Sequence, residues 1–528
     1  MRVSVVGAAD VEFILDRLSV DYLVSRHQPI SNHPITTSRP IAPQENVVTT
    51  LPGTRRIPLW LALVAASLPM FMATLDNLVV TSALPAIHEK LGSSVESLQW
   101  ITNAYTLSFA ALMLLAVSLG DRFGRRHLFV GGIVVFTVAS ALAALSTSSE
   151  MLIAWRALEG AGAAAVMPLS LTLLVGSVSD KARPVAIGIW SGVSGLGVAL
   201  GPLIGGAVVE SWSWESIFWL NVPIGIIAVP LALYALPNTV GERVRADVVG
   251  VLLAGAGILG VVYGVVRGND AGWSSTEVLA ALIAGAALLI GFVVWESRVE
   301  APLLPLRLFR DRSFTLANLV AMTFSFGAFG AVFILIQFLQ VVQGKSPLEA
   351  GIATMPWTLA PMVVAPLTGI IAPRVGTRLL IVVGLLFLSA GLFEIGLTMN
   401  ADVAYLTLLP GFVLAGIGMG LVFAPISTAV LVNMAPADHA KATGTNSTLR
   451  EIGVALGIAV LTAVFVGAGG ELTPTGYVSA AVPAVLVGAS VLLGSALLAA
   501  LLPSGIVRRE QAPVEVGVAA DPELVSAR

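Results

Sequence analysis

Between residues 58 and 502 the sequence passes fourteen times through an apolar stretch of about 20 residues, the length that spans a bilayer core of about 30 Å as an α-helix. The stretches fall at 58–85, 98–119, 128–147, 151–175, 185–209, 216–236, 247–267, 277–295, 314–342, 350–372, 378–398, 404–434, 449–468 and 478–502. Inside lipid each backbone N–H and C=O needs a partner, which a helix supplies from within its own segment. The chain is therefore predicted to be an all-α polytopic membrane protein with 14 transmembrane helices. Composition points the same way, because 11% of residues are charged where a soluble domain carries about 25%. A net charge of −3 argues for neither nucleic acid nor an acidic partner, and the absence of cysteine removes disulfides, thiol catalysis and cysteine metal sites.

Placement of the charges orients the chain. With the N-terminus taken as cytoplasmic, 19 Lys and Arg between residues 55 and 509 fall inside and three fall outside, Lys90, Arg267 and Lys345. The positive-inside rule then puts both termini in the cytoplasm and the protein in the cytoplasmic membrane. The first 56 residues break every apolar run with acids and arginines, so they read as a polar tail, with the first helix as an uncleaved insertion signal.

The sequence repeats itself at long range. GVALG stands at 197–201 and again at 453–457, and Gly160 and Gly162 match Gly416 and Gly418 at the same offset. GDRFGRR at 120–126 has a counterpart in APRVGTR at 372–378. The expected organisation is a cytoplasmic tail (1–56), a six-helix bundle (57–236), two inserted central helices with their linkers (237–312), a second, pseudo-symmetric six-helix bundle (313–502) and a polar tail (503–528). Two related bundles with a midplane crevice between them are the architecture of alternating-access transport.

Ionisable groups inside a bilayer are costly and mark function. Asp76 falls late in the first helix, and Arg156 and Glu159 fall early in the fourth, which runs the other way, so all three are expected at one depth. Arg156 and Glu159, three apart, share a helix face. Burial raises a carboxylate's pKa and a guanidinium lowers it, so the cluster is expected to take up and release a proton as the protein moves; a static ion pair is the alternative. Arg122, Gly124, Arg125 and Arg126 make a basic turn in which Asp121 runs against the positive-inside rule. At the end of its helix, Asp121 is placed to accept from a helix N-terminus of the other half, with Arg450 as a second candidate partner. In the fifth helix Gly197, Gly201, Gly205 and Gly206 strip one face for close packing and Pro202 favours a bend.

Gln337, Gln340 and Gln343 form a polar stripe, and Trp357, Tyr105 and Phe109 are further candidates for the wall of a substrate path, with helix packing as the alternative reading for each; Glu394, near the outer end of its helix, is expected in an outer vestibule, with attraction of cations to the substrate path as the alternative. Trp212, Trp214 and Trp219 fit an interfacial belt. His88, His127 and His439 stand alone, so no metal site is expected, and no GxxxxGK[ST] run supports ATP drive or an enzyme. No cofactor and no obligate protein partner is expected.

The motifs together resemble the major facilitator superfamily, in particular its fourteen-helix drug:proton antiporter branch. The resemblance is carried by LDNLVVTSALP (75–85), VSLGDRFGRRHLF (117–129), LIAWRALEGAGAA (152–164), GVALGPLIGG (197–206), ESIFWLNVPIG (215–225) and LQVVQGKSPLEAG (339–351). Val117 and Glu159 depart from the family's usual glycine and glutamine. The resemblance implies that Asp121 and its arginines latch the cytoplasmic face, that the fifth helix marks exchange rather than symport, and that protons and a small molecule are the partners. The implied function is proton-driven export of hydrophobic, including cationic, drugs, dyes or antibiotics; a dedicated exporter of one self-made metabolite and a non-transporting sensor are the alternatives.

Overall fold

The structure is a computed structural model that describes residues 58–179, 182–240, 247–300, 302–435 and 438–503. The 1–56 tail and all but the first residue of the 503–528 tail lie outside the described residues. Fourteen helices follow one another: α1 (Leu59–Leu91), α2 (Val95–Phe123), α3 (Arg125–Ala144), α4 (Ser149–Ser177), α5 (Arg183–Ser211), α6 (Ser216–Ala235, with a break at Leu220), α7 (Val248–Ala271), α8 (Thr276–Glu296), α9 (Arg312–Val341), α10 (Pro347–Val375), α11 (Thr377–Thr398), α12 (Tyr405–Leu431), α13 (His439–Gly467) and α14 (Pro474–Ala500). Among the described residues twelve helices are long and apolar enough to cross a membrane, and the count is up to fourteen if the bent α2 and α5 are each one span. The 45° bend of α5 falls between Val198 and Leu200. Pro202 has no N–H to offer the carbonyl of Val198, four residues earlier, so the helix lacks a bond where it bends.

Short caps fix the turns. Ser94, Ser148 and Thr473 accept from the backbone N–H groups that open α2, α4 and α14, and Ser346 with Glu349 forms a capping box at α10. The α2–α3 and α10–α11 turns share one geometry: Gly124 (φ 107°) and Gly376 (φ 87°) each donate their N–H to the carbonyl four residues back. A side chain is strained at such φ, which explains why the two sequence echoes keep this glycine. Packing recurs too. In residues 59–235, α2 and α3 pack on α4, α1 on α5 and α3 on α6; in residues 312–500, α10 and α11 pack on α12, α9 on α13 and α11 on α14.

The α2–α3 and α10–α11 turns lie at what we term the arginine-rich end. The two sets of six helices meet towards the opposite end, chiefly through α5 against α10 and α2 against α13. A Cβ on Gly351 would stand 2.5 Å from the Pro202 carbonyl oxygen, and Gly206 faces the Pro347 backbone as closely. Gln340 Nε2 donates to the Ser82 carbonyl (3.1 Å) and Leu348 N–H to Glu210 (3.1 Å) across the same seam. Towards the arginine-rich end the helices part: Gly188, Gly192 and Gly195 of α5 and Gly369 of α10 have no neighbour within 4 Å of a built Cβ. Helix α5 thus carries packed glycines in one half of its length and open ones in the other.

Helix α7 bridges both sides of the seam. Its Ile258, Val262 and Val266 pack with Leu107 of α2 and Ala455 and Ala459 of α13. Arg267 Nη1 reaches Glu96 of α2 (3.3 Å), and Asn269 donates to the Ala463 carbonyl of α13. Helix α8 packs on α7, and only 11% of its most apolar window is buried, as suits a lipid-facing helix. The seam is thereby closed from the side by residues that carry no recognisable motif.

The glycine contrast is testable by thermal melting in detergent. Gly205→Ala, whose Cβ would lie 2.7 Å from the Val79 carbonyl oxygen, is expected to lose about 1–3 kcal/mol of stability. Gly192→Ala, which meets open space, is expected to melt at or slightly above the wild-type temperature.

Candidate functional site

Four helices bring a closed charge cluster together. Arg156 of α4 donates through Nη1 to Asp76 of α1 and to Glu159 Oε2 (2.8 Å), and through Nε to the Ile101 carbonyl (3.3 Å). Asn221 of α6 donates to the other oxygen of Asp76 (2.9 Å) and to Ser140 of α3 (3.0 Å), which in turn donates to the Phe218 carbonyl (3.0 Å). Arg156, Glu159 and Ser140 are fully buried, and Asp76 and Asn221 are 1% exposed. Taking an ion from water costs several kcal/mol even after relaxation, on the order estimated for buried ion pairs, so none of these charges is stable there without the others.

Aromatic rings line the cluster. The Arg156 guanidinium lies 4.4 Å from the Tyr105 ring centroid and 5.8 Å from that of Phe218. Tyr105 donates its hydroxyl to the Ala73 carbonyl (3.0 Å) and stacks on Phe109. Glycine sets the spacing, since a Cβ on Gly160 would collide with Ser108 and the Tyr105 carbonyl, so α2 and α4 approach without side chains between them. With both carboxylates ionised the cluster holds two negative charges against one positive, and Glu159 Oε1 has no hydrogen-bond partner. One proton brings it to neutrality.

The structure therefore brings Asp76, Arg156 and Glu159 together, and adds Asn221 and Ser140, which the sequence reading missed. The available signal was a single carboxamide inside the apolar run 216–236. Tyr105 and Phe109 are buried against this cluster rather than on an open wall, and Trp357 is buried against Phe412. Gln337 is buried and bonds to the Phe333 carbonyl of its own helix, while Gln340 fastens α9 to α1 and Gln343 bonds to the Val403 carbonyl. Of the three glutamines, Gln340 thus ties two helices together, Gln337 bonds within its own helix and Gln343 bonds to a loop carbonyl. Glu394 is half-buried against Gly411. Trp214 is 3% exposed and packs on Phe218, so of the three expected belt residues only Trp212 and Trp219 face outwards.

At the arginine-rich end Asp121 is bound within its own half: its Oδ1 accepts from Arg125 Nε at 2.6 Å. Arg126 caps α6 through the Leu233 and Leu236 carbonyls (3.2 and 3.1 Å), Arg125 N–H donates to Thr239, and Arg122 lies over the Phe123 ring. A Cβ on Gly124 would stand 2.7 Å from Asn238 Oδ1, so the turn and the α6–α7 linker interlock. Arg450 requires a correction. It is not at the start of α13 but eleven residues inside it, about 16 Å along at 1.5 Å per residue. The run HAKATGTNST is too polar to resemble a span, yet it forms the first turns of α13. No contact joins Asp121 to Arg450 among the described residues, as follows from the parting of the halves at this end.

Removing Arg156 leaves two buried carboxylates without a counter-charge. Arg156→Met is expected to destabilise the protein by about 3–5 kcal/mol in thermal or denaturant unfolding. Adding Asp76→Asn and Glu159→Gln to it is expected to return most of that loss, which a simple packing defect would not allow.

Comparison with known proteins places this geometry. The family profile described as Major Facilitator Superfamily matches residues 66–458. The chain is 35% identical over 429 residues to the tetracenomycin C resistance and export protein of Streptomyces glaucescens, covering 81% of this chain and 79% of that one. It is 36% identical to the multidrug resistance protein Stp of Mycobacterium tuberculosis (76% and 75% covered) and 37% identical to the cephamycin export protein CmcT of Amycolatopsis lactamdurans (84% and 92% covered). Among solved structures it is similar to the human organic anion transporter MFSD10 (TM-score 0.57, 16% identity, 84% and 99% covered) and to the nucleoside transporter NupG (TM-score 0.60, 12% identity, 84% and 99% covered). These two likenesses bear on the fold alone. A profile that spans most of the chain, relatives more than a third identical over three quarters of it or more, and a multi-helix membrane fold of the same kind lead to one conclusion: the chain belongs to the major facilitator superfamily.

Proposed function

We propose that the protein is a proton-driven antiporter that exports hydrophobic small molecules across the cytoplasmic membrane by alternating access. The observation that carries this reading is the sealed cluster of Asp76, Glu159 and Arg156, in which two carboxylates share one guanidinium. Such a cluster gains or loses one proton at a modest electrostatic cost only while it stays intact, so a rigid-body motion that changes its exposure to water changes its proton affinity. The cleft between α5 and α10 supplies the second requirement, a route open at one end. In this reading the arginine-rich end is cytoplasmic by the positive-inside rule, and the conformation is inward-facing with the Asp121 latch disengaged. Residues 59–235 and 312–500 are two related six-helix halves, supported by the recurring helix pairs and by the matched turns at Gly124 and Gly376. Export as the direction of transport is supported by the printed functions of the Streptomyces and Amycolatopsis relatives. Both are named for export or resistance concerning one antibiotic, which favours the dedicated-metabolite exporter as a second reading.

Proteoliposomes with an imposed pH gradient and ethidium as a fluorescent probe test the coupling. Wild type is expected to move ethidium against its gradient only while ΔpH is present. Asp76→Asn is expected to abolish that accumulation, while Glu159→Gln slows it and shifts its pH dependence. Accumulation by Asp76→Asn equal to wild type would remove Asp76 as the proton carrier. Absence of movement by folded wild type would turn the search to a single metabolite.

A further inference from the structure

We propose that the foot of the inserted α7–α8 pair is a pH-operated clasp, closed by a single proton that Asp247 and Glu296 share and released when the medium at the arginine-rich end turns alkaline. The clasp gives the inserted helices a role of their own, and it is independent of proton coupling at Asp76.

Asp247 is the residue before α7 and Glu296 is the last residue of α8. The two carboxylates therefore meet at the end of α7 away from Arg267 and its partner Glu96. Both residues are buried, at 6% and 3% exposure. Asp247 Oδ1 accepts from the Gly250 N–H that opens α7 (2.8 Å) and from Trp295 Nε1 (2.8 Å). Glu296 Oε2 accepts from the Leu304 N–H of the α8–α9 linker (3.0 Å). The two remaining oxygens, Asp247 Oδ2 and Glu296 Oε1, have no hydrogen-bond partner among the described residues. They crowd one point, since a Cβ on Gly250 would stand 2.5 Å from the first and 2.7 Å from the second. Two ionised carboxylates are unstable in that arrangement, because each opposes the other's charge and burial disfavours both. One proton supplies the missing donor: the acid O–H of one group donates to the carboxylate oxygen of the other.

The charges on the surrounding elements are engaged or face outwards. Arg298 and Glu300 of the linker, Arg122 of α2 and Lys441 of α13 are exposed, and His439 bonds to the Met434 carbonyl. Arg307 of the linker is held by both oxygens of Asp438, Asp121 by Arg125, and Arg450 by Glu451. The shared proton thus joins the start of α7, the end of α8 and the linker that leads through the buried Leu303 and Leu308 to α9. Its loss leaves two buried negative charges, which are relieved by letting water between these three segments. Helix α7, which closes the seam from the side, then loses its fastening at this end and keeps the one at Arg267 and Asn269.

In the unfolded chain both carboxyls ionise at about pH 4. Above that pH the closed clasp holds one proton more than the unfolded chain does, so its contribution to stability falls as pH rises towards release. The test is thermal melting of the full chain in detergent at about pH 5.5 and about pH 8.5, in choline chloride and again in sodium and potassium chloride. Glu296→Gln keeps an acceptor for Leu304 and offers Asp247 Oδ2 an N–H that does not titrate; Asp247→Asn does the same from the other side and serves if Glu296→Gln does not fold. Between the two pH values wild type is expected to lose about 2 °C more than either variant. Hydrogen exchange of residues 302–310, corrected for its intrinsic pH dependence, is expected to lose protection over this range in wild type and in neither variant. An equal change in wild type and variants, as an ion pair with Arg243 or Arg245 would give, overturns the proposal. A response to sodium or potassium in place of pH overturns it in favour of a bound cation.

Discussion

The contact on which the rest of the N-terminal half depends is the sharing of one buried guanidinium by two carboxylates. Arg156 cannot be neutralised by losing its proton, so its burial has to be compensated by geometry. That requirement dictates which helices meet: α1 brings Asp76, α4 brings Glu159, and α6 through Asn221 and α3 through Ser140 take up what Asp76 has left to accept or direct. The glycines follow from the same demand. Side chains short enough to meet require backbones close enough to touch, and at Gly160 the neighbouring chain occupies the space a Cβ would need. Charge pairing and small-residue packing are thus a single constraint seen from two sides.

That constraint also explains where the molecule is able to move. Among the described residues the cluster binds α1, α2, α3, α4 and α6 to each other and makes no hydrogen bond to a helix beyond residue 235. Contacts across the seam are more exposed: backbone approaches at Gly206 and Gly351, hydrogen bonds from Gln340 and from the Leu348 N–H, and the flank of α7 with its part-exposed Arg267–Glu96 pair. Contacts made of such parts slide or reseat at a few kcal/mol, while a buried ion cluster does not. A rigid half and a separable seam are what a rocking mechanism needs.

The legible part of this organisation was the part written in composition and spacing. The all-helical membrane fold and the meeting of Asp76, Arg156 and Glu159 follow from helix length, helix rise and the expense of charge in lipid. Other features were hidden because they depend on what a helix faces. Asn221 and Ser140 are single polar residues in apolar runs, and nothing in their neighbours says that they point at a carboxylate. The glutamines spaced every three residues along α9 were legible as a stripe, but a stripe on a helix does not tell whether water, substrate or another helix lies opposite. HAKATGTNST was set outside the membrane because its average is polar, and with it went the depth of Arg450. A helix that borders an open groove is allowed a polar first half, which a hydropathy average cannot distinguish from a loop.

Once Arg450 is moved inward, the charge distribution of the two halves becomes unequal in a meaningful way. The N-terminal half keeps its deep charges sealed and mutually paired, suited to a small ion that reaches them one at a time. In residues 312–500 the Arg450 side chain is 30% exposed and lies beside the Phe423 ring. Of the two deep arginines, Arg156 is fully buried and Arg450 is 30% exposed. In the reading proposed above, the proton site belongs wholly to residues 59–235, and it is coupled to cargo through the seam that joins the two sets of helices. Coupling of that kind requires no contact between proton and cargo, because both change their affinity when the same rigid bodies turn.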